Sequence, residues 1–403
     1  MASVSDDTTI IHSQPCWTLD NDDIQVAVTR LGGHMAPVTF DRRSPRPIRP
    51  YFISPWQDEG HESFPAAVLT PLRGDFFCLP FGGNGEPEDG RRHEPHGETA
   101  TGNWSFDGRD RLADGTQRLS LSLETRVRPG HVLKELTLRP GQPAVYIRHH
   151  VEGFVGPAPV GHHATLSMPD REGAILVSTS PFHIGMTNPG LFSDPISREY
   201  QFLAVGEPFD DLTRVPTLFR QPTVADCTRV PTRRGYADLL AIVADSSRLE
   251  GCPAWTAAVD PDEGWCWFSL RDPQVLPTTL FWIENRGRHG FPWNGRNNCL
   301  GLEDVCAAFA DGIAASRQSN PLSELGVPTT IAFDADQPQD FRSIQGAIRI
   351  PAGFDSVATI RFERDGIVLV ARSGSTVTVP IDWRFALSND GERSSDAPAR
   401  SIQ

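Results

Sequence analysis

The chain has 403 residues, of which 38% are hydrophobic, and its 37 basic and 51 acidic side chains leave a formal net charge of −14. Its 9 tryptophans and 22 phenylalanines are ample for a large buried core, which excludes a chain that is disordered throughout. The acidic balance argues against a nucleic-acid partner, because neutralising phosphates requires clustered cations.

Short segments of alternating hydrophobicity run through most of the chain and predict β-strands, separated by turns rich in Gly, Pro and Asp. In chain order the predicted strands are 23–30, 118–127, 130–138, 145–151, 174–179, 265–270, 278–284, 329–333, 357–362, 367–371 and 376–380. One short helix is predicted after Glu303, from Ala307 through Ile313 to Ala315. The pattern predicts an all-β fold, a large antiparallel sandwich or barrel with a few short helices.

No low-complexity linker interrupts residues 21–388, which we expect to form a single domain. Residues 1–20 are interpreted as an N-terminal extension, and the polar residues 389–403 as a disordered tail. The N-terminus lacks a basic segment followed by an apolar one, and no apolar run is long enough to cross a bilayer. The 7 cysteines are widely spaced, without a C-x-x-C pair, and indicate reduced thiols. We therefore expect a cytoplasmic monomer or homodimer with no membrane partner.

Two histidine segments carry groups that a plain sandwich does not need. His93, His96 and Glu98 have the side-chain chemistry of metal ligands. However, residues three apart on a strand point to opposite faces, so loop histidines on a solvated surface are the alternative. Further along, His162 and His163 are adjacent, and a strand would turn one inward and the other outward.

A third segment, residues 281–305, combines aromatic and polar side chains with an acidic residue in an apolar context. Glu303 stands between Leu302 and Val305, where a carboxylate is costly unless it is paired or used. Pairing with an arginine is the structural alternative. Aromatic faces with amide and guanidinium donors suit a polyhydroxylated ring, although a packed core with surface arginines is also compatible with them. The candidate ring-binding residues are Trp282, Arg288, His289, Trp293 and Asn294.

In this order, the three segments resemble the aldose 1-epimerase (galactose mutarotase-like) superfamily, and most closely its hexose-phosphate epimerase-like members. The resemblance rests on the sequence RGDFFCLPFG at 73–82, on His96-Gly97 and Trp104, on Gly161-His162-His163, and on Leu300-Gly301-Leu302-Glu303. It extends over about residues 20–385. It implies the large β-sandwich of that superfamily, the supersandwich.

The resemblance also implies a reaction and the residues that perform it. Glu303 would be the general base for the anomeric hydroxyl, and His163 the general acid that protonates the ring oxygen. His96 would hold or polarise the same region of the sugar, and no metal or cofactor is required. Arg73 would contact the substrate or form a structural ion pair. Ala100 stands where the phosphate-sugar members usually have arginine, so the expected substrate is a free or modified aldose.

Three other functions remain open at this stage. The first is a non-catalytic carbohydrate-binding or sensing protein on the same fold. The second is a glycoside hydrolase or lyase, which would need a second carboxyl group near Glu303, and Glu98 and Asp304 are the available residues. The third is metal-dependent chemistry through His93, His96 and His163.

Overall fold

The computed structural model describes residues 8–387, and most of their regular secondary structure is β-strand. The strands are β1 (Thr9–Ile11), β2 (Gln14–Asp20), β3 (Gln25–Thr29), β4 (Met35–Thr39), β5 (Phe77–Cys78), β6 (Ser105–Arg111), β7 (Gln117–Thr125), β8 (Gly130–Leu138), β9 (Ala144–Glu152), β10 (Gly156–Ala158), β11 (Val160–Ser167), β12 (Ile175–Thr179), β13 (Phe182–Thr187), β14 (Pro208–Phe209), β15 (Val215–Pro216), β16 (Val224–Ala225), β17 (Arg229–Val230), β18 (Tyr236–Ala244), β19 (Ala254–Asp260), β20 (Trp265–Arg271), β21 (Thr278–Asn285), β22 (Asn298–Cys306), β23 (Ile331–Phe333), β24 (Gln339–Arg349), β25 (Val357–Glu363), β26 (Gly366–Ala371) and β27 (Thr376–Val379).

Helices in the described part of the chain are all short. The α-helices are α1 (Glu98–Thr101), α2 (Ile313–Arg317) and α3 (Pro321–Glu324). The 3-10 helices are Ala67–Leu69, Pro195–Ser197, Leu212–Arg214, Ser246–Arg248 and Trp383–Ala386. The predicted helix after Glu303 is wrong in its first half. Strand β22 continues to Cys306, and helix α2 begins only at Ile313, after Gly312 with its φ of 91°.

Two antiparallel sheets form the body of the molecule. One has 9 strands in the order β17-β12-β19-β20-β24-β9-β8-β7-β6, and the other has 7 in the order β14-β13-β18-β21-β22-β11-β5. Buried side chains from both sheets belong to one hydrophobic cluster, for example Leu121 and Trp267 from the first and Phe281 and Leu302 from the second. The fold is therefore the predicted all-β antiparallel sandwich.

The other face of the seven-stranded sheet is also buried. Side chains alternate along a strand, so Leu302 points to the sandwich core while its neighbour Glu303 points to the opposite face. On that opposite face, Trp282 and Cys299 pack in a second cluster with Trp56 and Phe76, which come from the chain before β5. A cover of loops and short helices over this face therefore encloses Glu303 without placing it in the sandwich core.

The chain ends extend the sandwich. Strands β1 and β2, from the predicted N-terminal extension, join β3 and β4 in a four-stranded sheet, and β25, β26 and β27 form a three-stranded sheet. Residues 1–7 and the predicted tail 389–403 lie outside the described residues. All 7 cysteines are free thiols. None of the helices between residues 8 and 387 is long and apolar enough to span a membrane.

Candidate active site

Glu303 and His163 lie directly opposite each other in the antiparallel ladder between β22 and β11. Their side chains point to the covered face, where Glu303 Oε1 lies 3.2 Å from His163 Nε2. Both side chains are almost fully buried, with 3% and 6% of their surface exposed. Adjacent His162 points the other way, into the sandwich, where its Nδ1 lies 3.2 Å from Asp75 Oδ2. The ladder thus brings one carboxyl group and one imidazole together.

Burial shifts the pKa of both partners toward the uncharged form. It raises the pKa of Glu303 from 4.5 to about 8, an effect that the positive charge of Arg288 opposes. It lowers the pKa of His163 well below 6.5, and the neighbouring His96 lowers it further. The two sites are close enough to titrate together, so near neutral pH the pair holds a single proton.

Aromatic stacking and one hydrogen bond hold the ring of His163 in place. Phe76 stacks on it with ring centroids 4.5 Å apart, and His34 stacks on Phe76 at 4.0 Å. The Nδ1 atom of His163 lies 3.1 Å from the hydroxyl oxygen of Thr165. With Nδ1 engaged in this way, Nε2 is the ring nitrogen that faces Glu303.

His96 is the third member of this group. Its ring lies edge-on to that of His163, with centroids 4.9 Å apart. Its backbone adopts a left-handed conformation, with φ 61°, which is uncommon for a residue other than glycine. Burial lowers its pKa to about 4, and Nδ1 has no hydrogen-bond partner among the described residues. His96 therefore has an uncharged ring with one buried, unpaired nitrogen.

These side chains open onto a cavity of about 250 Å³. Six of the predicted site residues line it, namely His96, His163, Trp282, Arg288, Trp293 and Glu303. Trp282 and Trp293 meet edge to face with centroids 5.8 Å apart. The guanidinium of Arg288 lies 5.6 Å and 5.2 Å from their respective ring centroids. Its Nε is 3.6 Å from Oε2 of the buried Glu284.

Three predicted substrate-binding residues do not line this cavity. Arg73 is fully buried, and its guanidinium donates hydrogen bonds to backbone carbonyls of residues 11–12 and to Gln57 Oε1. Because its guanidinium is bound to these acceptors, Arg73 has a structural role outside the cavity lining. His289 and Asn294 are exposed on the loop between β21 and β22, outside the lining. The loop turns these two polar side chains toward solvent.

The apolar part of the lining was missed by sequence reasoning. Val68, Leu69, Leu72, Phe192 and Leu239 all face the cavity. Nothing in their local sequence distinguishes them from ordinary core residues, because an apolar side chain in a pocket has the same pattern as one in a core. The period-two alternation of β18 does place Leu239 on the covered face, opposite to its core-facing neighbours.

The carboxyl groups considered for hydrolysis are engaged elsewhere. Glu98 accepts hydrogen bonds from the backbone N–H groups of residues 126–127. Asp304 points away from Glu303 and forms a buried ion pair with Arg271 at 2.9 Å. Within residues 8–387, no group of three or more His, Cys, Asp or Glu side chains is arranged to hold a metal ion.

Comparison of the sequence with protein-family models and with curated proteins finds no match, whereas solved structures do resemble the chain. A galactose mutarotase-like protein from Clostridium acetobutylicum is 11% identical, with a TM-score of 0.57 over 85% of this chain and 97% of that one. An aldose epimerase homologue from C. elegans is 12% identical, with a TM-score of 0.53 over 84% and 100%. An Escherichia coli K12 protein provisionally described as an aldose 1-epimerase is 15% identical, with a TM-score of 0.54 over 83% and 99%. The chain therefore has the predicted galactose mutarotase-like β-sandwich fold.

Proposed function

We propose that the protein is an aldose 1-epimerase (mutarotase)-type isomerase, which interconverts the anomers of an aldose without a metal or cofactor. The observation that carries this proposal is the buried contact between Glu303 and His163 at the cavity. A carboxyl group and an imidazole that share one proton can supply both the general acid and the general base for opening and closing a hemiacetal. The fold is compatible with this activity but does not by itself imply it.

The single proton of the pair accounts for the whole reaction. Transfer of that proton from Glu303 to His163 leaves a carboxylate, which removes the proton of the anomeric hydroxyl while His163 protonates the ring oxygen. The bond between C1 and the ring oxygen breaks, and an open-chain aldehyde forms. Rotation about C1–C2 presents the other face, and reversal of both transfers closes the ring and returns the proton to His163. Positioned groups of this kind each contribute about 10²–10⁴-fold.

The neighbouring side chains have supporting roles in this proposal. His96 lines the cavity beside His163, within reach of the same region of the sugar. The charge of Arg288 favours the carboxylate form of Glu303. Trp282 and Trp293 present aromatic surface for the C–H face of a sugar ring, and Trp282 Nε1 has no partner among residues 8–387.

NMR exchange between anomers tests the proposal directly, on a panel of neutral, acidic and phosphorylated sugars. We expect enzyme-dependent exchange in at least one sugar, and its loss in Glu303→Gln and His163→Asn. Glu86→Gln is a matched control, because it makes the same substitution at an exposed loop residue. Exchange that survives in Glu303→Gln would remove this carboxylate from the mechanism.

A non-catalytic sugar-binding protein is the second candidate. The aromatic walls and the Arg288 guanidinium would serve binding equally well. Thermal stabilisation by one sugar, without anomer exchange in any, would favour this candidate over the isomerase.

A further inference from the structure

We propose that the cavity selects an aldose poor in hydroxyl groups, such as a deoxy sugar or one whose hydroxyls are alkylated or acylated. This inference rests on the proposed function, since it names the substrate class of the same site. It follows from how polar and apolar groups are distributed around the cavity.

The polar groups gather at one side. His163, His96 and Glu303 are grouped beside Phe76, whose ring centroid lies 4.5 Å from that of His163 and 5.7 Å from that of His96. This cluster matches the two oxygens of a hemiacetal, the anomeric hydroxyl and the ring oxygen. Arg288 is the other charged residue of the lining, and its Nε lies beside Glu284.

Aliphatic and aromatic side chains make up the remaining lining. Val68, Leu69, Leu72 and Leu239 are buried aliphatic side chains, and Phe192 adds a half-buried ring. None of these side chains donates or accepts a hydrogen bond. A sugar hydroxyl desolvated against this wall would lose its bonds to water without replacement, whereas a methyl or methylene group would gain apolar contact.

Three of the predicted ring-binding side chains lie outside the cavity, which leaves Arg288 as the charged donor for further hydroxyls. Arg73 is committed to backbone carbonyls and Gln57, while His289 and Asn294 face solvent outside the lining. At about 250 Å³ the cavity is also small, below the ~300–1,000 Å³ of typical small-molecule sites. A compact monosaccharide with few hydroxyls therefore fits both the size and the chemistry.

Anomer exchange in a graded series tests this inference. The probes are glucose, 6-deoxyglucose and 2,6-dideoxyglucose, and the measured quantity is kcat/KM relative to the uncatalysed exchange of each sugar. We expect this ratio to rise along the series, by about tenfold or more from glucose to 2,6-dideoxyglucose. Apolar pockets discriminate by a similar factor between substrates that differ by one small group.

Two variants connect this preference to the wall. Val68→Thr replaces a methyl with a hydroxyl at nearly constant volume, and Leu69→Asn introduces an amide beside it. Each is expected to lower the preference for the dideoxy sugar over glucose several-fold. Val68→Thr remains informative if the larger change in Leu69→Asn prevents folding. An unchanged preference in a folded Val68→Thr protein would contradict the role of this wall.

The outcomes separate the inference from the proposed function. Exchange of glucose as efficient as that of the deoxy sugars would overturn the inference while the isomerase stands. Thermal stabilisation by the dideoxy sugar alone, without exchange, would overturn the isomerase while upholding the preference of the cavity. Neither exchange nor stabilisation by any of the three would overturn both.

Discussion

The carboxylate of Glu303 lies against Gly301, close to the space that a side chain at position 301 would occupy. A Cβ atom added to Gly301 would come within 2.5 Å of Glu303 Oε1 and 2.9 Å of Trp282 Cβ. Gly301 and Glu303 are two residues apart on β22 and so share its covered face, while Trp282 pairs directly with Gly301 across the ladder. The missing side chain at position 301 therefore helps to set the position of the proposed base.

Gly301→Ala is expected to lower kcat by about 10- to 100-fold, because the new methyl group must displace the carboxylate, and small misplacements are costly in catalysis. Anomer exchange kinetics measure the effect. Gly108→Ala, on β6, is the matched control, since a Cβ there meets nothing within 4 Å. Wild-type kcat in Gly301→Ala would contradict this account of how Glu303 is positioned.

The pH dependence of kcat/KM is expected to be bell-shaped, with its alkaline limb near the pKa of about 8 of Glu303. Above that pH the pair loses its only proton, and at low pH it binds a second one, so activity falls in both directions. Arg288→Gln removes a positive charge that lowers the pKa of Glu303. The alkaline limb should therefore move to higher pH in this variant, and a shift to lower pH would contradict the assignment.

Glu303→Gln is expected to be more stable than the wild type at pH 8. The pKa of Glu303 rises from 4.5 to about 8 on folding, so the folded state binds the proton more tightly. This carboxyl group then stabilises the fold less as the pH rises through that interval. Glutamine does not titrate, so the difference in Tm should be large at pH 8 and smaller at pH 5. Equal differences at both pH values would show that burial does not perturb this group.

His96→Asn is expected to lower kcat by about tenfold or more, because it removes a ring nitrogen from the reacting region. Asparagine tolerates the left-handed backbone conformation of this residue, so the loop should keep its shape. Thermal unfolding checks the fold, and exchange kinetics check the activity. A change in Tm with kcat intact would leave His96 a purely structural residue.

Arg73→Gln is expected to lower the free energy of unfolding by about 3 kcal/mol, because it leaves the buried Gln57 and two part-buried carbonyls without their charged donor. KM should not change, since Arg73 lies outside the cavity lining. Arg43→Gln is the control, as it removes an exposed arginine whose ion pair with Asp22 lies at the surface. A raised KM with unchanged stability would restore Arg73 to the substrate site.

Much of the fold follows from local pattern. Period-two alternation places the strand 130–138 with the same bounds as β8, because each face of a strand meets one environment. The segments of His163 and Glu303 are also recognisable one by one. That these two residues face each other is a matter of register between β11 and β22, which no periodicity within either strand encodes.

The rest of the site depends on contacts between distant parts of the chain. His289 and Asn294 stand beside Trp293 in the sequence, yet only the tryptophan lines the cavity, because the turn of the loop sends its neighbours to solvent. Leu69 and Leu72 are indistinguishable from core leucines until the loop that carries them is folded over β21 and β22. The types of side chain in the sequence predicted which groups carry the chemistry of the site, but they did not predict which apolar residues form its walls.

Lys134 is the single lysine of the chain and is buried on β8, where its Nζ donates a hydrogen bond to the carbonyl of Gly33 at 2.6 Å. The proposed reaction passes through an open-chain aldehyde, and reducing sugars in general condense with amines to form glycation products. Every other basic side chain, apart from histidine, is arginine, which is far less nucleophilic because its guanidinium stays protonated. A protein that works continually among reducing sugars would thus present no lysine amine at its surface for them to modify.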